Sequence, residues 1–268
     1  MYKHLTEATN AFFSGIFLAE LTQKAAYFNL KPDEVLNRLV SDLEAIDAIE
    51  LKQKCTNELL VFMPVIQQAH ALEEGLRRWK EVVDGHAALK PYAEYLFDLF
   101  YISWLSWQED AGNEDWMDSD EWQRMEDKLA ERGTEMLNMM MYLQEVRDTG
   151  IKANLDDFIE QYLGDDELDF QDDIEVYEEV IANRNWLDFP YHQMVAQAEA
   201  MEDDTAIPEL FTPLFCFFKS PEKAQINLLA TLSAGGNVKR NLPVVLCLLA
   251  FYKGLGGIDE QLLLQYDK

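Results

Sequence analysis

Two acidic side chains three residues apart on a helix share a face and can close on one divalent cation, so acid-x-x-acid spacing is the first chemistry to weigh. In this chain of 268 residues the examples include Asp157-x-x-Glu160, Asp172-x-x-Glu175, Glu175-x-x-Glu178 and Glu199-x-x-Glu202. A metal-dependent enzyme built on these pairs, with Glu175, Glu178, Glu199 and Glu202 as ligands, would act on a phosphate-containing small molecule, because a bound cation neutralises phosphate oxygens. Acid density argues against it. Residues 101–210 hold 31 acidic and 6 basic side chains. Random placement at that density gives about nine such pairs, so the pairs carry little information. No metal, no cofactor and no catalytic residue is therefore expected, and a non-enzymatic role is favoured.

The pairs Glu175-x-x-Glu178 and Glu199-x-x-Glu202 resemble the paired ExxE and ExxD helices of the all-α nucleoside triphosphate pyrophosphohydrolases, a likeness that implies magnesium held between two helices. The chain departs from that pattern where the second motif closes on Glu202, with Asp203 one step late, and where Asn183 to Pro190 separates the pairs. A calcium loop of the EF-hand type needs glycine at its sixth position, and a loop begun at Asp165 has Phe170 there. The four histidines, His4, His70, His86 and His192, show no spacing suited to zinc or a di-iron centre. There is no phosphate-binding glycine loop and no serine-nucleophile motif.

The acids matter more as a surface. Formal net charge is −28, of which −25 falls in residues 101–210, whereas the last 58 residues are apolar and near neutral. Such charge opposes contact with nucleic acid or an anionic membrane and suits a basic protein. Trp116 and Trp122 lie in this segment, and tryptophan is a frequent anchor at interfaces. The expected contact residues are Trp116, Trp122, Asp156, Asp157, Glu160, Asp172 and Asp173. Trp104 and the run Met136, Met139, Met140 and Met141 fall at helical spacing and are read as core.

These residues need helices to place them, and helical periodicity runs almost throughout. Phe12, Phe13, Ile16, Phe17, Leu21 and Ala25 recur at three- and four-residue steps. Pro32-Asp33-Glu34 starts a second helix. A long helical stretch over 46–83 is expected to kink or split at Pro64 and to end at Asp84-Gly85. Pro91 opens the next helix. The polar stretch 108–118 reads as a loop or domain joint. Ser119 starts a long helix to Asp148 that stops at Gly150, and Asn154 caps a short helix over 155–163. Further helices are expected over 168–182 and 190–201, with a short one between Pro208 and Pro213. Ser220-Pro221-Glu222 starts the helix 221–234, Gly235-Gly236 stops it, and helices over 241–253 and 258–266 complete the chain.

The expected fold is therefore all-α, an irregular multi-helix bundle of about nine to eleven helices, with a degenerate helical-repeat array as the alternative. The chain is read as one unit over 1–268. A subdivision would set an N-terminal helical part, 1–107, apart from 119–268, where acidic helices pack on an apolar C-terminal hairpin. The apolar run Leu242 to Tyr252 is too short to span a membrane, the start lacks the features of a secretory signal, and Cys55, Cys216 and Cys247 read as free thiols, so the expected compartment is the cytoplasm. The function expected is an acidic interaction module for a basic partner, as an inhibitor, immunity-type protein or adaptor. The alternatives are the metal-dependent enzyme above and a helical scaffold or homo-oligomer that meets its copies through the C-terminal hairpin.

Overall fold

The computed structural model describes residues 2–23, 27, 30, 32–45, 53, 55–67, 69, 71–110, 120–130, 135–158, 213, 216–218, 220–234, 238–258 and 262. Among them are ten α-helices and no strand, so the fold is all-α. In chain order the helices are α1 (Tyr2–Thr22), α2 (Pro32–Ala45), α3 (Met63–Gln67), α4 (Leu72–Gly85), α5 (Lys90–Asp110), α6 (Asp120–Ala130), α7 (Glu135–Thr149), α8 (Leu155–Phe158), α9 (Ala224–Ala234) and α10 (Val238–Lys253). Short 3-10 turns occupy Glu58–Phe62, Ala87–Leu89 and Leu255–Gly257.

The centre is the pair α1 and α10, which make the most extensive helix–helix contact in the described fold. Both are apolar on nearly every side, as a helix enclosed by others must be. Phe12, Phe13, Ile16, Phe17 and Leu21 of α1 are buried, as is every residue of α10 from Asn241 to Tyr252. The two backbones approach at Gly15, where an added Cβ would stand 2.6 Å from Pro243 Cα and 3.2 Å from the Leu242 carbonyl oxygen. A side chain of any size would force the helices apart.

Pro243 lies inside α10 and has no N–H to give the Lys239 carbonyl one turn earlier. Asn57 supplies the missing donor, its Nδ2 lying 2.8 Å from the Lys239 oxygen. Its Oδ1 accepts from the Leu59 N–H at 3.0 Å and so caps the 3-10 turn Glu58–Phe62. One buried amide thus repairs a helix and starts a turn.

Around this centre, Trp79 of α4 sits among Phe62, Phe97 and Phe100, with ring centroids 4.9–5.7 Å apart. Helix α6 docks through Trp122, which stacks on Trp104 at 6.3 Å and meets Tyr101 at 6.1 Å. Helix α7 buries Met139, Met140, Tyr142, Leu143 and Val146 and reaches α10 through Arg147, whose Nη1 donates to the Phe251 carbonyl at 2.8 Å. Gly254, at φ 73°, ends α10 by returning its N–H to the Ala250 oxygen at 2.7 Å. Arg147 therefore satisfies a neighbouring orphan carbonyl and sets a cation at the negative end of the helix.

Several helix limits differ from the sequence reading. The stretch 46–83 is not one helix kinked at Pro64: residues 55–57 are non-helical, a 3-10 turn follows, and Pro64 is the second residue of α3, where its missing N–H costs nothing. Helix α5 runs to Asp110, three residues into the expected loop. The helix expected from Ser119 to Asp148 is helical over Asp120–Ala130 and Glu135–Thr149, and 131–134 lie outside the described residues. Helix α9 starts at Ala224 and not at Pro221, because the Lys223 N–H turns back to the Ser220 oxygen at 2.9 Å and the Lys223 carbonyl is the first to accept helical bonds. Helix α10 starts three residues early, at Val238, which puts Pro243 in its interior. The helices expected over 168–182, 190–201 and 208–213 lie outside the described residues or nearly so.

Candidate functional site

Few of the contact residues named from the sequence fall where the structure describes them. Trp116, Glu160, Asp172, Asp173, Glu175, Glu178, Glu199 and Glu202 lie outside the described residues. Asp156 is placed by the backbone of α8 only. Asp157 is half-buried on the same short helix, near enough to the Tyr142 hydroxyl to favour its protonated form, although burial of that hydroxyl is the larger cause. Trp122 is half-buried and stacked on Trp104, so part of its ring surface is already spent inside the protein. Beside it, Arg124 reaches across to Glu73 of α4 at 3.0 Å.

Within residues 101–210 the described helices carry exposed acids on α6, at Asp120 and Asp127, and on the outer face of α7. Tyr142, Leu143 and Val146 face the core, which leaves Met141, Glu145 and Asp148 outward at successive four- and three-residue steps. Met141 is 48% exposed, and Ile151, just beyond the turn at Gly150, is 58% exposed. Two large exposed apolar side chains thus flank two carboxylates in sequence, Met141 on the helix and Ile151 just past its end. The sequence hides this face because Met141 adjoins Met139 and Met140, which are buried. The phase of Tyr142, Leu143 and Val146 was the signal that separates them.

This face of α7 is held in place from behind. The Tyr142 hydroxyl accepts from the Asn154 N–H at 2.8 Å and donates to the Asn154 carbonyl at 2.9 Å, which fixes the chain leaving α7. Arg147 hydrogen-bonds Gln144, lies over the Phe251 ring at 5.4 Å and ties the helix to α10. Asp148 accepts from Gln144 Nε2 at 2.6 Å. Glu145 and Asp148 remain exposed, and each can take a further hydrogen bond from a cation.

A second polar cluster lies at the other end of the central pair. Glu20 of α1 accepts from the Thr56 hydroxyl at 3.0 Å and pairs with Lys239 Nζ at 3.3 Å, and the Cys55 thiol sits 3.9 Å from the same carboxylate. Burial, joined by the Glu20 charge, raises the Cys55 thiol to about 11 against the opposing pull of the Asn57 backbone and Lys239. A thiol nucleophile needs the opposite shift, so this cysteine belongs to a structural joint. Cys247 is fully buried and pushed up by burial alone, and Cys216 is buried as well, in keeping with their reading as small core side chains. Asp98 of α5 is the one charged side chain in the buried set of described residues, and it is partnered. Its burial could not be seen from an otherwise helical apolar run.

Among the described residues no group of three or more His, Cys, Asp or Glu is arranged to hold a metal ion, and no helix is long and apolar enough to cross a membrane. Comparison of the chain with protein families, with curated proteins and with solved structures finds no match to any of them.

Proposed function

We propose that this protein is a non-enzymatic, all-α interaction module whose acidic side receives a basic segment of another protein, in the manner of an inhibitor, immunity-type protein or adaptor. The observation that carries the reading is the segregation of charge: −25 of the net −28 lies in residues 101–210. The outer face of α7 gives that charge a local form. Glu145 and Asp148 offer acceptors for Lys or Arg, and Met141 and Ile151, which flank them in sequence, offer apolar contact. A basic amphipathic segment, with cations and apolar side chains at helical spacing, matches both. Trp116, Trp122, Asp156, Asp157, Glu160, Asp172 and Asp173 stay within the proposed contact surface.

The test is fluorescence anisotropy with a labelled peptide of lysines and leucines at helical spacing, against a scrambled peptide of the same composition. At about 20 mM salt the patterned peptide should bind at least about tenfold more tightly than the scrambled one, and both should weaken steeply by about 150 mM. The double variants Glu145→Gln with Asp148→Asn, and Met141→Ser with Ile151→Ser, should each reduce the patterned peptide's affinity several-fold. Only the apolar pair should shrink the preference over the scrambled peptide. Equal binding of the two peptides by the unaltered protein would mean a solvated polyanionic surface with no recognition, and the reading would fall. A preference that survives both double variants would move the contact off α7.

A further inference from the structure

We draw no further inference here: the strongest candidate, the buried Asn227 carboxamide on α9, whose nitrogen and oxygen meet no hydrogen-bond partner among the described residues, sits on a helix packed against α10, and nothing in the structure shows what it would hold.

Discussion

Asn57 is the residue on which the centre of the fold turns. Its amide makes one bond to a carbonyl that Pro243 leaves open and one that caps the turn at Glu58. Asn57→Ala removes both and leaves a buried acceptor and a buried donor unmet, a loss of about 2–3 kcal/mol in a chemical melt. Pro243→Ala returns an N–H to the Lys239 oxygen, so part of the Asn57→Ala penalty should vanish in that background. A double-mutant cycle should therefore show coupling of about 1 kcal/mol, and simple additivity would mean the Lys239 carbonyl does not depend on Asn57. Gly15 is the steric counterpart of this joint. Gly15→Ala drives a Cβ against Pro243 backbone atoms, which cannot swing aside, and should cost about 3 kcal/mol or more. The control is Gly85→Ala at the end of α4, where a Cβ meets nothing within 4 Å and φ is not positive, so stability should stay level or rise by about 0.5 kcal/mol. Asn227 predicts a gain of a different kind. Its fully buried amide meets no partner among the described residues, so Asn227→Leu, of similar size, should raise stability by about 1–2 kcal/mol. A loss on thermal unfolding would show that the amide is satisfied after all.

At the scale of elements, the ends of α10 are where distant parts of the chain meet. Arg147 of α7 closes its C-terminal end, with a hydrogen bond to the Phe251 carbonyl and a guanidinium that lies over the same residue's ring. Arg147→Met keeps much of the packing and removes the charge and the donor. The expected cost is about 1–2 kcal/mol, and Arg147→Ala should cost more because the stem goes too. Equal costs would place the contribution in the charge and the hydrogen bond, with none from the packed stem. Glu222, in the turn before α9, holds the same end by accepting from Lys253 and from the Tyr252 hydroxyl at 3.1 Å. The Lys253 hydrogen bond, chiefly, lowers the Glu222 carboxyl below the ordinary glutamate value of 4.5. A lowered folded value means that the contribution is full above about pH 4.5 and is lost as pH falls through the folded value. The pair is partly exposed, so solvent screening holds it under about 1 kcal/mol. Glu222→Gln should therefore cost little at neutral pH and nothing once the acid is protonated, as read from melts at several pH values.

The same ends explain what the sequence made legible and what it hid. Helices α1 and α2 and the stop of α4 at Gly85 follow from period and start or stop residues, and Leu242 to Tyr252 reads correctly as buried core, because these signals are local. The break at residues 55–57 is hidden because the bond that makes Asn57 useful spans 182 residues. The early start of α10 is hidden for the same reason: a proline in a helix interior is tolerated only where another donor serves the freed carbonyl. At the candidate site the acid excess was plain from composition. The outer face of α7 was not, since three adjacent methionines read as one apolar run until the helix phase sends Met141 outward.

For the whole molecule the governing quantity is charge. A net −28, of which −25 falls in one part of the chain, stores repulsion that the apolar centre of α1 and α10 must outweigh. Salt screens that repulsion over a Debye length of about 8–10 Å near physiological strength. It also weakens exposed ion pairs such as Arg77 with Glu74, but such pairs contribute little each, and the uncompensated acids outnumber them. The sign is therefore fixed: raising sodium chloride from about 10 mM to about 300 mM should raise Tm. If screening relieves about 1–2 kcal/mol, the rise is about 2–8 °C for a chain of this size. A basic partner relieves the same repulsion by direct contact and should also raise Tm, by mass action, in proportion to its occupancy. The two effects then oppose one another. Salt stabilises the free protein while dissolving the contact, so the partner's increment in Tm should shrink as the protein's own Tm climbs. Melts of the protein with and without the patterned basic peptide, across the salt series, separate these terms. Converging curves fit a charge-driven contact on a self-repelling surface. A Tm flat in salt would show that the acids are too far apart in space to repel, which would remove the electrostatic reason for a basic partner.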